Sequence, residues 1–257
     1  MALKANQLHH LAIIPDGNTR WAKAKKLPEI VGYQRGLDRV VELTRHVRTL
    51  GIHTLTFWGL STENWAHRPK NELEFLVVIF SRAIDEHVKD ALDNGVRIVH
   101  LGRKDRLPKK LIDKISAAEE KTAINTKYFL NIALDYGGHD ELIRATQKII
   151  ADVAAGKLNP SQLDEVIRNL DDKQKVTRYS QYLDNGDQPY PFPDFIIRTS
   201  GEIRLSGFMP WQSTYSEFYF EPAFFPDLSP AKLEAAIEVF KQRQRRFGGG
   251  HSRETIG

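Results

Sequence analysis

Four segments place carboxylates, arginines and hydroxyls close together, each beside a short apolar run. The first is Asp16-Gly17-Asn18-Thr19-Arg20-Trp21. Gly17 permits close backbone approach, free N–H groups at a helix start can face anionic oxygens, and Arg20 adds positive charge. Asp16 would repel a bare phosphate. Its presence points to a bridging cation, most naturally Mg²⁺ shared with diphosphate oxygens. The competing account is an Asp-Gly turn followed by a capping Asn, which is ordinary punctuation.

The second segment runs from Gly59 to Pro69 and carries Ser61, Thr62, Glu63, Asn64, Trp65 and Arg68. Helix capping accounts for Ser61, Thr62 or Asn64. It does not account for Trp65 and Arg68, although a packed Trp and a solvated Arg are common. The third segment, 198–208, has Arg198 and Arg204 six residues apart with a serine close by. Such a pair can hold both phosphates of a diphosphate through charge-assisted bonds. The alternative is two surface salt bridges to Glu202. In the fourth segment, 211–220, Glu217 is the sole acid of an aromatic run. It is either buried and paired or a second metal ligand, since burial without a partner is costly.

Positioning these groups requires a frame. Runs at 9–15, 52–58, 96–102, 128–134 and 195–199 have strand length and β-branched or aromatic content. A short strand at 218–221 completes the set. Between them lie helical faces. Leu37, Val40, Val41, Val47 and Leu50 share one, ended by Gly51. A stripe from Phe75 to Leu92 is ended by Asn94-Gly95, and Leu142, Ile143, Ile149, Ile150 and Val153 form a third face before Gly156. Asn159-Pro160 and Ser229-Pro230 read as cap-plus-N1 pairs opening two more helices. Alternation of this kind predicts one α/β domain, 1–257 with its core at about 9–249. A mostly parallel sheet of about six strands would be flanked by helices. Residues 171–193, polar and rich in Tyr and Pro, read as a surface excursion. Ligands of such sheets bind outside the carboxyl ends of the strands, which is where the four segments fall.

Composition narrows the chemistry less. The chain has 257 residues, 41% of them hydrophobic, enough for a large core. It has no cysteine, which removes disulfides, zinc-thiolate sites and thiol nucleophiles and suits a reducing cytoplasm. The N-terminus does not read as a signal peptide, and no stretch approaches the roughly 20 apolar residues of a membrane span. The net charge of +4, with cations crowded at Lys241, Arg243, Arg245, Arg246 and Arg253, suits anionic ligands or a solvated helix end. A nucleic-acid module would interleave basic residues with exposed aromatics along one face. Here the aromatics lie in strands and motifs, so no nucleic-acid partner is expected.

In combination the segments become specific. IIPDGNTRWA, FWGLSTENW, ALDYGG and IIRTSGEIRLSGF followed by WQSTYSE stand in the order and spacing of the cis-prenyltransferases, a family that includes undecaprenyl diphosphate synthase. The chain resembles that family from about residue 9 to residue 249. The resemblance implies an apolar tunnel in the fold. It also implies Mg²⁺-dependent condensation of isopentenyl diphosphate with an allylic starter such as farnesyl or geranyl diphosphate, giving a Z-polyprenyl diphosphate. Undecaprenyl diphosphate, a cell-wall lipid carrier, is one candidate product and a short-chain product another; a non-catalytic partner subunit of the same fold would lack the Asp16 context. A cytoplasmic homodimer peripheral to the membrane, into which the product partitions, is also implied.

Residue by residue, Asp16 would hold the metal and Glu217 would be the second acid near it. Gly17, Asn18, Thr19, Arg20 and Trp21 would surround the allylic diphosphate, with Ser61, Thr62, Glu63, Trp65 and Arg68 lining the same pocket. Asn64 matches an amide proposed to assist proton removal. Arg198, Arg204, Leu205 and Ser206 match the isopentenyl diphosphate site, and Arg246-Phe247-Gly248 an element reaching across a dimer. Phe75, Leu76, Ile79, Phe80 and Ile84 are candidates for the tunnel wall. Departures are Pro15 for Met, Glu29 for Arg and Tyr33 for His in the allylic pocket. Ser200 replaces Gly, Ile203 replaces a residue that is often His, and one extra residue lies between Trp65 and Arg68. Gly59 favours long products and Tyr128 short ones. The DDxxD motif of trans-prenyltransferases is absent; Asp171-Asp172-Lys173-Gln174-Lys175 does not fit it.

Overall fold

Every residue from His10 to Ile14 in the first apolar run is buried, so this strand needs neighbours on both edges and cover on both faces. The computed structural model, which describes residues 7–170 and 174–243, provides both. The strands are β1 (His10–Ile14), β2 (Thr54–Ser61), β3 (Val96–Leu101), β4 (Tyr128–Tyr136), β5 (Val166–Asn169), β6 (Lys175–Thr177), β7 (Phe195–Arg198) and β8 (Glu217–Phe220). Six form a parallel sheet in the order β3-β4-β2-β1-β7-β8, and β5 and β6 make a small antiparallel hairpin. Arg245, Arg246, Phe247, Gly248 and Arg253, like Asp171, Asp172 and Lys173, lie outside the described residues.

The helices are α1 (Asn18–Ala24), α2 (Glu29–Thr49), α3 (Thr62–His67), α4 (Lys70–Asp93), α5 (Lys109–Thr122), α6 (Gly138–Ala154) and α7 (Pro230–Gln242). Side chains alternate across β1. Leu11 and Ile13 join Leu43 and Val47 of α2 and Leu233 and Phe240 of α7 in one core. Ala12 and Ile14 join Tyr136, Ile196, Phe208 and Met209 in another. A third core packs α4 and α5 over Leu60 and Leu134. α2 ends as its sequence predicts: Gly51, at φ +72°, donates to the Arg48 carbonyl, and Ile52 donates to that of Val47.

Three local expectations change. On α6 the buried residues are Gly138, Glu141, Ala145 and Ile149, while Ile143 and Ile150 are 59% and 63% exposed. The inward face is built around a carboxylate: Glu141 accepts bonds from the Tyr136 hydroxyl, the Gln212 amide and the Asp184 N–H. Asn159-Pro160 opens only a 3₁₀ turn, Pro160–Gln162, whereas Ser229-Pro230 does open α7. Residues 174–193 are not a surface excursion. Val176, Asn185 and Gln188 are buried, and Gln188 exchanges two amide bonds with Asn131 of β4. Their polarity satisfies a polar patch of the sheet.

Candidate active site

β1 and β7 are neighbours, so the turns that follow them meet at the carboxyl edge of the sheet. The Asp16 N–H donates to Thr199 Oγ1 at 2.8 Å, and that hydroxyl lies 2.8 Å from the Asp16 carbonyl. Gly17 caps α1 at φ +97°, and a Cβ there would sit 2.6 Å from Phe224 Cδ1 and 3.0 Å from Ser200 Cβ. Only glycine meets both demands.

The Asp16 carboxylate lies between two guanidiniums. Arg20 Nη2 is 2.9 Å from Oδ1, and Arg198 Nη2 is 3.0 Å from Oδ2. Arg198, 7% exposed, also donates to Ser206 Oγ at 2.9 Å and to the Arg204 carbonyl. Arg20 also donates to Ser200 Oγ at 2.6 Å and to Glu202 at 2.9 Å. Glu202 then reaches the exposed Arg204 at 2.6 Å. These two arginines, Arg20 foremost, hold the Glu202 carboxyl below its usual range. Glu202 therefore pairs with Arg204 as the sequence alternative has it, but Arg198 goes to Asp16.

Across the cleft, Ser61 Oγ caps α3 by accepting from the Asn64 N–H at 3.0 Å. Burial pushes the Glu63 carboxyl up, but its own amide and the hydroxyls of Ser61 and Thr62 outweigh that and hold it below its usual range. Arg68 donates to the Tyr33 hydroxyl at 2.8 Å and to Glu72 at 2.7 Å. Tyr33 in turn donates to Glu72, and burial and Glu72 push its hydroxyl well above the usual tyrosine range.

Together these walls enclose a cleft of about 430 Å³. The first turn contributes Asp16, Gly17, Asn18 and Thr19; β2 and α3 contribute Ser61, Glu63 and Asn64; Tyr33, Arg68, Arg198 and Ser206 complete the polar side. Arg20 and Arg204 join through the Asp16–Glu202 network. Other predicted residues lie elsewhere. Trp21 is buried, its indole N–H bound to Asp227. Glu29 pairs with Lys23 on the surface, and Thr62 packs against Gly137. Trp65 and Leu205 pack against two of the hydrophobic cores. Glu217 is not brought to Asp16. It stands level with Phe195, which pairs with Leu11, at the amino end of the sheet, and it binds Arg243 at 2.9 Å. Three residues of β1, about 10 Å, separate that level from the strand end preceding Asp16.

A second cavity of about 160 Å³, almost wholly apolar, lies between α2, α4 and the sheet. It shares Pro15, Leu37, Val40, Gly59 and Phe80 with the cleft. Gly59 lies in both walls, and a Cβ there would approach Leu134 Cδ2 to 2.7 Å and Phe80 Cζ to 3.7 Å. Of the expected wall residues, Leu76 and Ile79 line the cleft, Phe80 both spaces and Ile84 the apolar one, while Phe75 packs in the α4–α5 core. Tyr128 lines neither. The sequence shows Leu37 and Val40 only as part of a helical face and assigns no role to Glu72 or Thr199; the fold brings all four to the site.

Among the described residues no three His, Cys, Asp or Glu side chains converge on one point. Asp16 can still serve a hard cation that takes one carboxylate, substrate phosphates and water. Its carboxylate is 28% exposed and faces the cleft.

A family model described as putative undecaprenyl diphosphate synthase matches residues 14–248. An isoprenyl transferase of Streptococcus thermophilus is 42% identical over 94% of this chain and 93% of its own length. One of Streptococcus pyogenes is 43% identical over 93% and 92%. Among solved structures, lavandulyl diphosphate synthase from Lavandula x intermedia, in complex with dimethylallyl diphosphate, superposes with a TM-score of 0.86 at 35% identity, covering 94% of this chain and 98% of that one. A probable undecaprenyl diphosphate synthase from Campylobacter jejuni gives 0.73 at 31%, covering 95% and 99%. The chain belongs to the undecaprenyl diphosphate synthase family and is a prenyl transferase.

Proposed function

We propose that this enzyme condenses isopentenyl diphosphate with an allylic diphosphate to give a Z-prenyl diphosphate, with Mg²⁺ held by Asp16. The observation that carries the reading is the adjacency of two unlike spaces. A cleft lined by Asp16 and Arg198 shares Gly59 and Phe80 as wall residues with an apolar cavity. An amphiphile with a diphosphate head and a hydrocarbon tail has that division of character.

Arg20, beside Asp16, takes the allylic diphosphate, and Arg198, Arg204 and Ser206 take isopentenyl diphosphate. As the allylic C–O bond breaks, its electron pair goes to the leaving diphosphate, and the arginines face the charge that grows there. A bound Mg²⁺ supplies further stabilisation of that charge. The isopentenyl double bond donates its electrons to the allylic carbon, and the resulting cation loses a proton, for which Asn64 is the nearby amide. The products are a lengthened allylic diphosphate, inorganic diphosphate and a proton. The tail moves past Gly59 for the next cycle.

One observation favours a short product. The apolar space of about 160 Å³ is of the size that holds a single benzene ring, about 150 Å³, so a long tail requires α2 and α4 to part. The same reading takes the enzyme as a cytoplasmic homodimer that passes its product to a membrane. No described helix is long and apolar enough to cross a membrane. Product sizing after incubation with labelled isopentenyl diphosphate, several starters and Mg²⁺ tests starter and length together. Products longer than about four units from the unaltered enzyme would reject the short-chain reading.

A further inference from the structure

Ser200 adopts φ +70°, a left-handed conformation in which a side chain other than glycine is strained. Its backbone is pinned there. The Ser200 N–H donates to the Ala223 carbonyl at 2.8 Å, and the Gly201 N–H to that of Glu221 at 2.9 Å. A glycine would satisfy both bonds without strain, so the hydroxymethyl group must be explained by what it touches. Its Oγ accepts from Arg20 Nη2 at 2.6 Å, the shortest of the three bonds on that guanidinium. Its Cβ closes over Gly17.

We propose that Ser200 is a positioning residue for the allylic diphosphate: its hydroxyl fixes the Arg20 guanidinium without neutralising it. This rests on the prenyl-transfer reading. The other partners of Arg20, Asp16 and Glu202, are both carboxylates and each offsets part of its charge. A neutral acceptor directs the same nitrogen and leaves the charge available to an incoming anion. A cation held by Asp16 would draw that carboxylate from Arg20, whereas the neutral Ser200 hydroxyl would remain its acceptor. Arg198 has its own hydroxyl acceptor in Ser206, so the effect of Ser200 falls on one side of the cleft only.

Ser200→Ala keeps the Cβ and its strain and removes only the acceptor. The KM for the allylic diphosphate should rise about tenfold, the size of one hydrogen bond to a charged group. The KM for isopentenyl diphosphate should stay within about twofold, and kcat should fall by less than the allylic KM rises. In an Arg20→Ala background the same change should add nothing, because its partner is gone. Ser200→Gly should bind allylic diphosphate as poorly as Ser200→Ala yet melt no lower than the unaltered enzyme. Calorimetry with inorganic diphosphate and Mg²⁺ reads the same weakening without turnover, so it stands apart from the identity of the reaction. Equal rises in both KM values, additive effects with Arg20→Ala, or unchanged diphosphate affinity would each overturn the proposal.

Discussion

Asp16 and Arg198 lie 182 positions apart in the chain and 3.0 Å apart in the fold. The parallel pairing of Ile14 with Arg198 sets one beside the other at the carboxyl edge of the sheet. Arg198 is almost fully buried, and its charge is met by Asp16, Ser206 Oγ and the Arg204 carbonyl. The pair joins the acid proposed to hold the metal to an arginine of the isopentenyl diphosphate site.

Replacing Asp16 separates chemistry from folding. Asp16→Ala leaves the buried Arg198 charge with two neutral acceptors, so stability should fall by about 3–5 kcal/mol, within reach of urea titration. Elongation should fall by at least about three orders of magnitude. Turnover at the level of the unaltered enzyme would reject the assigned metal role.

Arg204 is 59% exposed, and its side chain pairs with Glu202. The bond that Arg198 makes to it goes to the main-chain carbonyl and survives truncation. Arg204→Ala should therefore raise the KM for isopentenyl diphosphate about tenfold and that for the starter much less. Steady-state kinetics with each substrate varied in turn would expose the reverse ranking, which contradicts the division of the cleft.

Gly59 borders both spaces, and a larger side chain there would press on Leu134 and Phe80. Gly59→Leu should shorten the product distribution while retaining the first condensation, at about 1–3 kcal/mol of stability from overpacking. Chromatographic sizing of the products checks this. An unchanged distribution would mean that the tail grows elsewhere.

Stability should fall as the medium is acidified below neutrality. Burial lowers the pKa of His10 to about 3 and that of His100 to about 4. The unfolded chain, with histidines near 6.5, binds more protons between those values. Stability is thus complete above about pH 7 and lost as pH falls from about 6.5 to about 4 for His100 and to about 3 for His10. From pH 7 to 5.5 the two histidines together account for about 2.5 kcal/mol. Urea midpoints at the two pH values measure it; a flat profile would show that both imidazoles protonate as readily in the fold as in the unfolded chain.

The frame and the polar cleft were legible in the sequence because local signals sufficed. Strand-length runs of Leu, Ile and Phe gave the six parallel strands, and Gly51, Gly95 and Gly156 all stand at positive φ after helices. Asp16, Gly17 and Arg198 share an edge because strand ends converge. What stayed hidden depended on partners distant in sequence. Glu141 turns α6 inward through Tyr136, Asp184 and Gln212, and no periodicity in α6 announces it. Glu217 looked like a metal ligand from its motif, but β8 begins rather than ends with it. Glu72 became visible only when Tyr33 and Arg68 met it.

The most direct test is transfer itself: purified protein incubated with labelled isopentenyl diphosphate and dimethylallyl, geranyl or farnesyl diphosphate, with Mg²⁺ or with chelator. The account predicts label in a lipid-extractable Z-prenyl diphosphate with at least one starter, and none once the metal is removed. Failure to join a five-carbon unit to any of these starters with Mg²⁺ present, or equal incorporation in chelator, would contradict it.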